Sequence, residues 1–164
     1  MPPDIHRLAH SHRRLIALLL STVLAGISPA LAQRRSASVL VRRVIDGDTI
    51  EIMSVGRVQL LGVDAPDIGK RPGTSAPFAR DAQQRLEGLL ANRWVRLEYE
   101  TDRDTRASRT TAYVFLEDGR FVNEWLVREG LARVSARQGL RRLGELKQAE
   151  AAAQASRRGV WRDR

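Results

Sequence analysis

VIDGDTIEI, residues 44–52, sets two carboxylates, Asp46 and Asp48, on either side of one glycine and follows them with a β-branched run. Acids at a strand edge cost free energy unless they hold something. Asp-Gly at 46–47 between two apolar stretches is a turn signal, so the segment reads as a hairpin tip joining strands over 39–45 and 49–53. Ser54-Val55-Gly56 is a second tight turn, and a third strand follows over 57–63.

Downstream, APDIGKRPGTSAP (65–77) is a loop rich in proline and glycine. Pro77 suits the first turn of a helix running to about residue 90, with Phe78, Ala82, Leu86 and Leu89/Leu90 on one face. Residues 94–100 alternate, with Val95, Leu97 and Tyr99 facing one way, as in a half-buried strand. The polar loop TDRDTRASR (101–109) separates it from a fifth strand over 111–116. Asp118-Gly119 turns the chain into a helix over about 123–129, which Gly130 stops. A last helix spans about 140–157, with Leu140, Leu143, Leu146 and then alanines inward, and Trp161 follows as a terminal plug. Five strands in a small chain, with a helix between the third and fourth, predict a five-stranded OB-fold barrel with about three packed α-helices. There is no internal repeat.

Composition narrows the chemistry. Residues 1–32 carry Arg7, Arg13 and Arg14, then an apolar run over 15–27, then Ala30-Leu31-Ala32. This is the pattern of a secretory signal cleaved after Ala32, with a retained anchor as the alternative. Export to the periplasm or the medium follows, with residues 33–38 as a tether, 39–161 as one domain and 162–164 as a tail. Removing 1–32 takes away three arginines and one aspartate and leaves a formal charge of +7. All three histidines lie in that segment, and the chain has no cysteine. The remainder therefore has no Ser-His-Asp triad, thiol nucleophile, disulfide or ordinary zinc site. Carboxylate, guanidinium and hydroxyl remain, a set that suits a hard metal and phosphate oxygens. Lysine occurs only at 70 and 147, so the cations are almost all arginine. An arginine fork suits phosphate, although a high-GC genome would produce the same excess.

VIDGDTIEI, RVQLLGVDAPD (57–67), SRTTAYVFLEDGRFVNEWLVREGLARV (108–134) and AEAAAQASRRGVW (149–161) together resemble the staphylococcal nuclease (thermonuclease) family, in order and spacing, over about 39–161. The resemblance implies an OB-fold barrel and calcium-dependent cleavage of DNA and RNA. It maps the calcium carboxylates onto Asp48 and Asp64, adds the backbone carbonyl of Ala65, and puts Asp46 behind the ligands. Calcium takes hard oxygens and tolerates irregular geometry, so two carboxylates on neighbouring strand ends are a reasonable start for it. The competing reading makes Asp46-Gly47 a mere turn and Asp64 a turn acid before Pro66.

The match breaks at several catalytic positions. Active members carry an arginine where this chain has Gln59, and a glutamate where it has Asp67; a second arginine is retained as Arg109. Two substrate-side tyrosines would fall at Ala136 and Gln138. Losing a charged donor at a phosphoryl transition state costs roughly 3–4 kcal/mol. Arg57 lies two residues before Gln59 on the same strand face, about 6.6 Å away, and is a candidate substitute. Arg106, Arg133 and Arg137 are candidate contacts to substrate. The sequence therefore supports an exported monomeric nuclease of reduced rate with weakly bound calcium, acting on DNA or RNA with little sequence preference and with no membrane contact once the signal is gone. The alternative is a catalytically silent barrel that binds nucleic acid or an envelope partner.

Overall fold

Alternating apolar residues close five strands into a barrel in the computed structural model, which describes residues 36–69, 71, 73–100, 110–135 and 139–162. The proposed signal segment and Arg106, Arg109 and Arg137 lie outside the described residues. The strands are β1 (Val39–Val44), β2 (Thr49–Ile52), β3 (Gly56–Leu60), and then, beyond a two-residue β4 (Val63–Asp64), β5 (Trp94–Glu98) and β6 (Thr110–Leu116). Their order around the barrel is β1-β2-β3-β6-β5, the connectivity of an OB-fold. Every pairing is antiparallel except β3 with β6. Ile50, Ile52, Val58, Leu60, Val95, Leu97 and Val114 fill the interior. In β1, Val41 and Val44 are both buried although three residues apart. A register shift between Val41 and Arg43 explains this, because the extra residue turns the strand and brings both valines inward.

The predicted third strand, 57–63, is interrupted. β3 ends at Leu60, and Gly62 takes φ 79°. A Cβ there would stand 2.7 Å from a methyl carbon of Leu146. Val63–Asp64 leaves the barrel and pairs instead with β7 (Arg133–Val134), a ribbon too short to show as a sequence pattern. The strand expected over 94–100 likewise ends at Glu98.

Among the described residues three α-helices cover the barrel: α1 (Ala79–Leu90), α2 (Val122–Arg128) and α3 (Leu143–Ala155). Helix α1 starts later than predicted. Phe78 precedes it at φ 66°, so Phe78 leaves the apolar face, which is made by Ala79, Ala82, Leu86 and Leu90. Leu86 is fully buried, and its truncation to alanine costs about 2–5 kcal/mol. Helix α2 is fastened by Asn123, whose Oδ1 accepts the Val114 N–H at 2.9 Å while Nδ2 donates to Leu61 O at 2.9 Å. That bond holds the chain where it leaves β3. The end of the chain docks on the end of α2: Val160 N–H donates to Gly130 O at 2.9 Å, and Trp161 is buried. Among the described residues no helix is long and apolar enough to cross a membrane.

Candidate active site

The loop between β1 and β2 is shaped by contact with two distant segments. A Cβ on Gly47 would meet the Cβ of Ala65 at 2.7 Å and that of Ala82 at 3.0 Å. The hairpin read at Asp46-Gly47 is present, but Gly47 is not among the residues with positive φ: the glycine supplies space rather than a left-handed backbone. Gln83 of α1 donates to Ile45 O at 2.9 Å, and the Leu60 N–H donates to Asp48 O at 2.8 Å. Asp46 Oδ1 accepts the Asp48 N–H at 3.1 Å, which orients the second acid.

Asp48 is 8% exposed. Its Oδ1 accepts from the Thr49 hydroxyl at 2.8 Å, and its Oδ2 accepts from the Ala65 N–H at 3.4 Å. Burial pushes its carboxyl up to about 6; the Thr49 bond opposes this, and the Asp46 charge adds to it. Among the described residues no cation pairs with it.

Asp64 ends β4 and is exposed, with Ala65 next to it. Asp67 sits in the following loop, which is closed by the Ala76 N–H donating to Asp67 O at 3.0 Å. Gln59 lies in the wall, in register with Thr49 on β2 and Thr111 on β6. Arg57 is on the same strand, opposite Glu51. The Glu51 carboxyl lies below its ordinary value, chiefly through its Arg43 hydrogen bond, with smaller help from the charges of Arg43, Arg42 and Arg57.

These groups converge. Asp46, Asp48, Arg57, Gln59, Asp64 and Asp67 share a cavity of about 380 Å³, with Thr110 also in its wall. Arg109 lies outside the described residues, while its neighbour Thr110 opens β6. Arg133 stands apart. It is opposite Asp64 in the β4–β7 ribbon but lines a separate hollow, with its guanidinium 4.9 Å from the centre of the Trp161 ring. Sequence reasoning missed Thr49, Gln83 and the packing role of Gly47. Only the hydroxyl directly after Asp48 left a local trace, as the T of DGDT.

Among the described residues no three acidic, histidine or cysteine side chains form a metal cage by themselves. The donor set nonetheless fits a hard cation, being all oxygen, with one buried carboxylate left without a positive partner.

A profile of the family described as Staphylococcal nuclease homologue matches residues 57–163. The Thermonuclease of Staphylococcus intermedius is 45% identical over 102 residues, covering 60% of this chain and 60% of that protein. The Thermonuclease of Staphylococcus hyicus is 36% identical over 138 residues, 82% of this chain and 81% of that protein. Endonuclease YncB of Bacillus subtilis is 36% identical over 115 residues, 68% of this chain and 54% of that protein. The match thus spans less than two thirds of the first and third of these relatives. With the barrel connectivity and the profile match over more than half of its length, the chain belongs to the staphylococcal nuclease homologue family.

Proposed function

We propose that the chain is a nuclease, a cation-dependent phosphodiesterase acting on DNA or RNA. One observation carries this reading: buried Asp48, with no cation of its own among the described residues, faces a cavity it shares with Asp46, Asp64 and Asp67. The relatives, two thermonucleases and an endonuclease, agree with it.

In this proposal Asp48, Asp64 and the Ala65 carbonyl hold calcium, and Asp46 sets Asp48 through its backbone N–H. When bound, the ion polarises a phosphoryl oxygen and offsets developing charge. Asp67 takes the proton of the attacking water as its oxygen bonds to phosphorus and the bond to the leaving sugar oxygen breaks, that oxygen taking a proton from solvent; the Ala76 N–H bond to the Asp67 carbonyl closes the loop that carries it. Arg109 meets the phosphate. Gln59 donates a hydrogen bond but no charge, so the rate falls, and Arg57 on the same cavity wall makes up part of the loss. Export through residues 1–32 and a monomeric state belong to the same proposal.

Cleavage of labelled DNA and RNA in calcium and in chelator tests it. Activity should need calcium and disappear in Asp48→Ala and Asp64→Ala. Calcium should also raise the melting temperature of the wild type and of neither variant. No calcium-dependent shift at millimolar concentration would return these acids to the role of turn residues. Gln59 favours a second reading, a silent barrel that still binds nucleic acid; binding without cleavage would select it.

A further inference from the structure

Beyond Asp64 the surface holds a second hollow, of about 370 Å³, between Pro66, Pro77, Phe78 and Arg133. Asp64 lines both hollows, so the second adjoins the acidic cavity. Phe78 also lines a third, open groove with Arg80, Arg162 and the Asp81–Arg85 ion pair. Phe78 therefore stands as a post between two depressions, with arginines on both sides. The Arg162 guanidinium lies 5.7 Å from the centre of its ring. Among the described residues neither Arg133 nor Arg162 pairs with a carboxylate.

The backbone of Phe78 is the unusual part. It sits at φ 66°, the left-handed region, which a bulky aromatic residue rarely adopts. Strain of this kind persists where surrounding structure imposes it, and it clusters at sites of function. A regular helix start would have put the ring on the buried face with Ala82 and Leu86; the left-handed backbone leaves it half-buried between the two hollows.

We propose that Phe78 is a base-stacking post for a single nucleic-acid strand leaving the acidic cavity, with Arg133 and Arg162 meeting the phosphates on either side. This rests on the nuclease reading and adds where the strand runs. The hollow, about 370 Å³ and lined by Pro66, Pro77 and Phe78, has the size of one unstacked base with its sugar. Stacking tolerates any base, and the arginines match the phosphates in charge. A duplex keeps its bases stacked and cannot use the post.

The test is equilibrium binding of a labelled oligothymidylate to the full chain in chelator, where nothing is cleaved. Phe78→Gly suits the left-handed backbone and keeps the fold. It should weaken binding by about 5- to 150-fold. Phe78→Leu, which keeps apolar bulk without a π face, should weaken it comparably, and Phe78→Trp should restore it. Arg133→Gln should lower the slope of log K against log salt by about 0.7. Duplex binding should not respond to position 78. Wild-type affinity in Phe78→Gly or Phe78→Leu overturns the post, while calcium-dependent cleavage by the wild type would still uphold the nuclease reading. A wild type that neither binds nor cleaves ends both.

Discussion

Asp48 and Glu98 are both nearly buried, 8% and 5% exposed, and the barrel treats them in opposite ways. Glu98 closes β5 and is gripped by Arg142, whose Nε and Nη2 donate at 3.2 and 3.0 Å, and by Arg141 at 3.5 Å. The Arg142 guanidinium lies 4.9 Å from the Phe115 ring centre and 5.2 Å from that of Phe121. Burial pulls that guanidinium down, but the hydrogen bond and charge of Glu98, with help from Glu145, raise it above its ordinary value. Asp48 has a hydroxyl, one N–H and a second acid beside it. A buried charge with an internal partner ties the start of α3 to the barrel. The buried Asp48 carboxylate has no such partner among the described residues.

The largest expected effect tests the satisfied side. Glu98→Ala should destabilise the fold by about 3 kcal/mol in urea unfolding, the low end for breaking a buried pair, because Arg142 would stay partly buried with only Glu145 to pair it. A loss no greater than that of an exposed residue would break the contrast.

Gly47→Ala comes next. The added methyl has Ala65 at 2.7 Å and Ala82 at 3.0 Å, so the loop must shift, at about 1–3 kcal/mol. Ala65→Gly in the same chain should recover part of that stability. An unchanged melting temperature in Gly47→Ala would show that the loop yields freely and does not hold the acids in place.

Catalysis sharpens the open side. Gln59→Arg should raise calcium-dependent cleavage by about one decade or more, since it restores charge where phosphoryl charge develops. Asp67→Glu should add to this, and Arg57→Ala should slow the wild type but matter little once arginine occupies position 59. An unchanged rate in folded, calcium-binding Gln59→Arg would favour the silent barrel.

The smallest effect has the opposite sign to the first. A carboxyl raised from 3.8 to about 6 keeps its proton longer in the folded chain than in the unfolded one. Its contribution to stability is therefore full below pH 4 and is lost as pH rises through about 6. Without divalent cation, Asp48→Asn should match the wild type near pH 4 and exceed it at pH 8, by on the order of 1 kcal/mol after allowing for solvent screening. Calcium should close that gap by stabilising only the wild type. A less stable Asp48→Asn at pH 8 would mean that Asp48 is satisfied internally, as Glu98 is.

Much of this was legible in the sequence. Apolar and β-branched runs between turn signals marked the five barrel strands, and DGDT with VDAP marked the acids of the cavity, because both are local patterns carried by neighbouring residues. Their convergence with Gln59 and Asp67 was implied by the family resemblance, and Arg57 joined them through its place two residues before Gln59 on the same strand face. Other features were hidden because their causes lie far along the chain. Leu146 crowds Gly62, two residues past the end of β3, and Arg133–Val134 supplies the ribbon that takes Val63–Asp64 out of the barrel. Ala65 and Ala82 require glycine at 47, where the sequence read a turn. In the alternation of β5, Glu98 falls on the face opposite Val95 and Leu97, yet Arg141 and Arg142 arrive there and bury it. Periodicity and motif chemistry thus determined the barrel and its acidic cavity. Which buried charge meets a counter-charge among the described residues, and which does not, was decided by tertiary packing, because both the space around a group and its counter-charge come from residues that are not its neighbours in sequence.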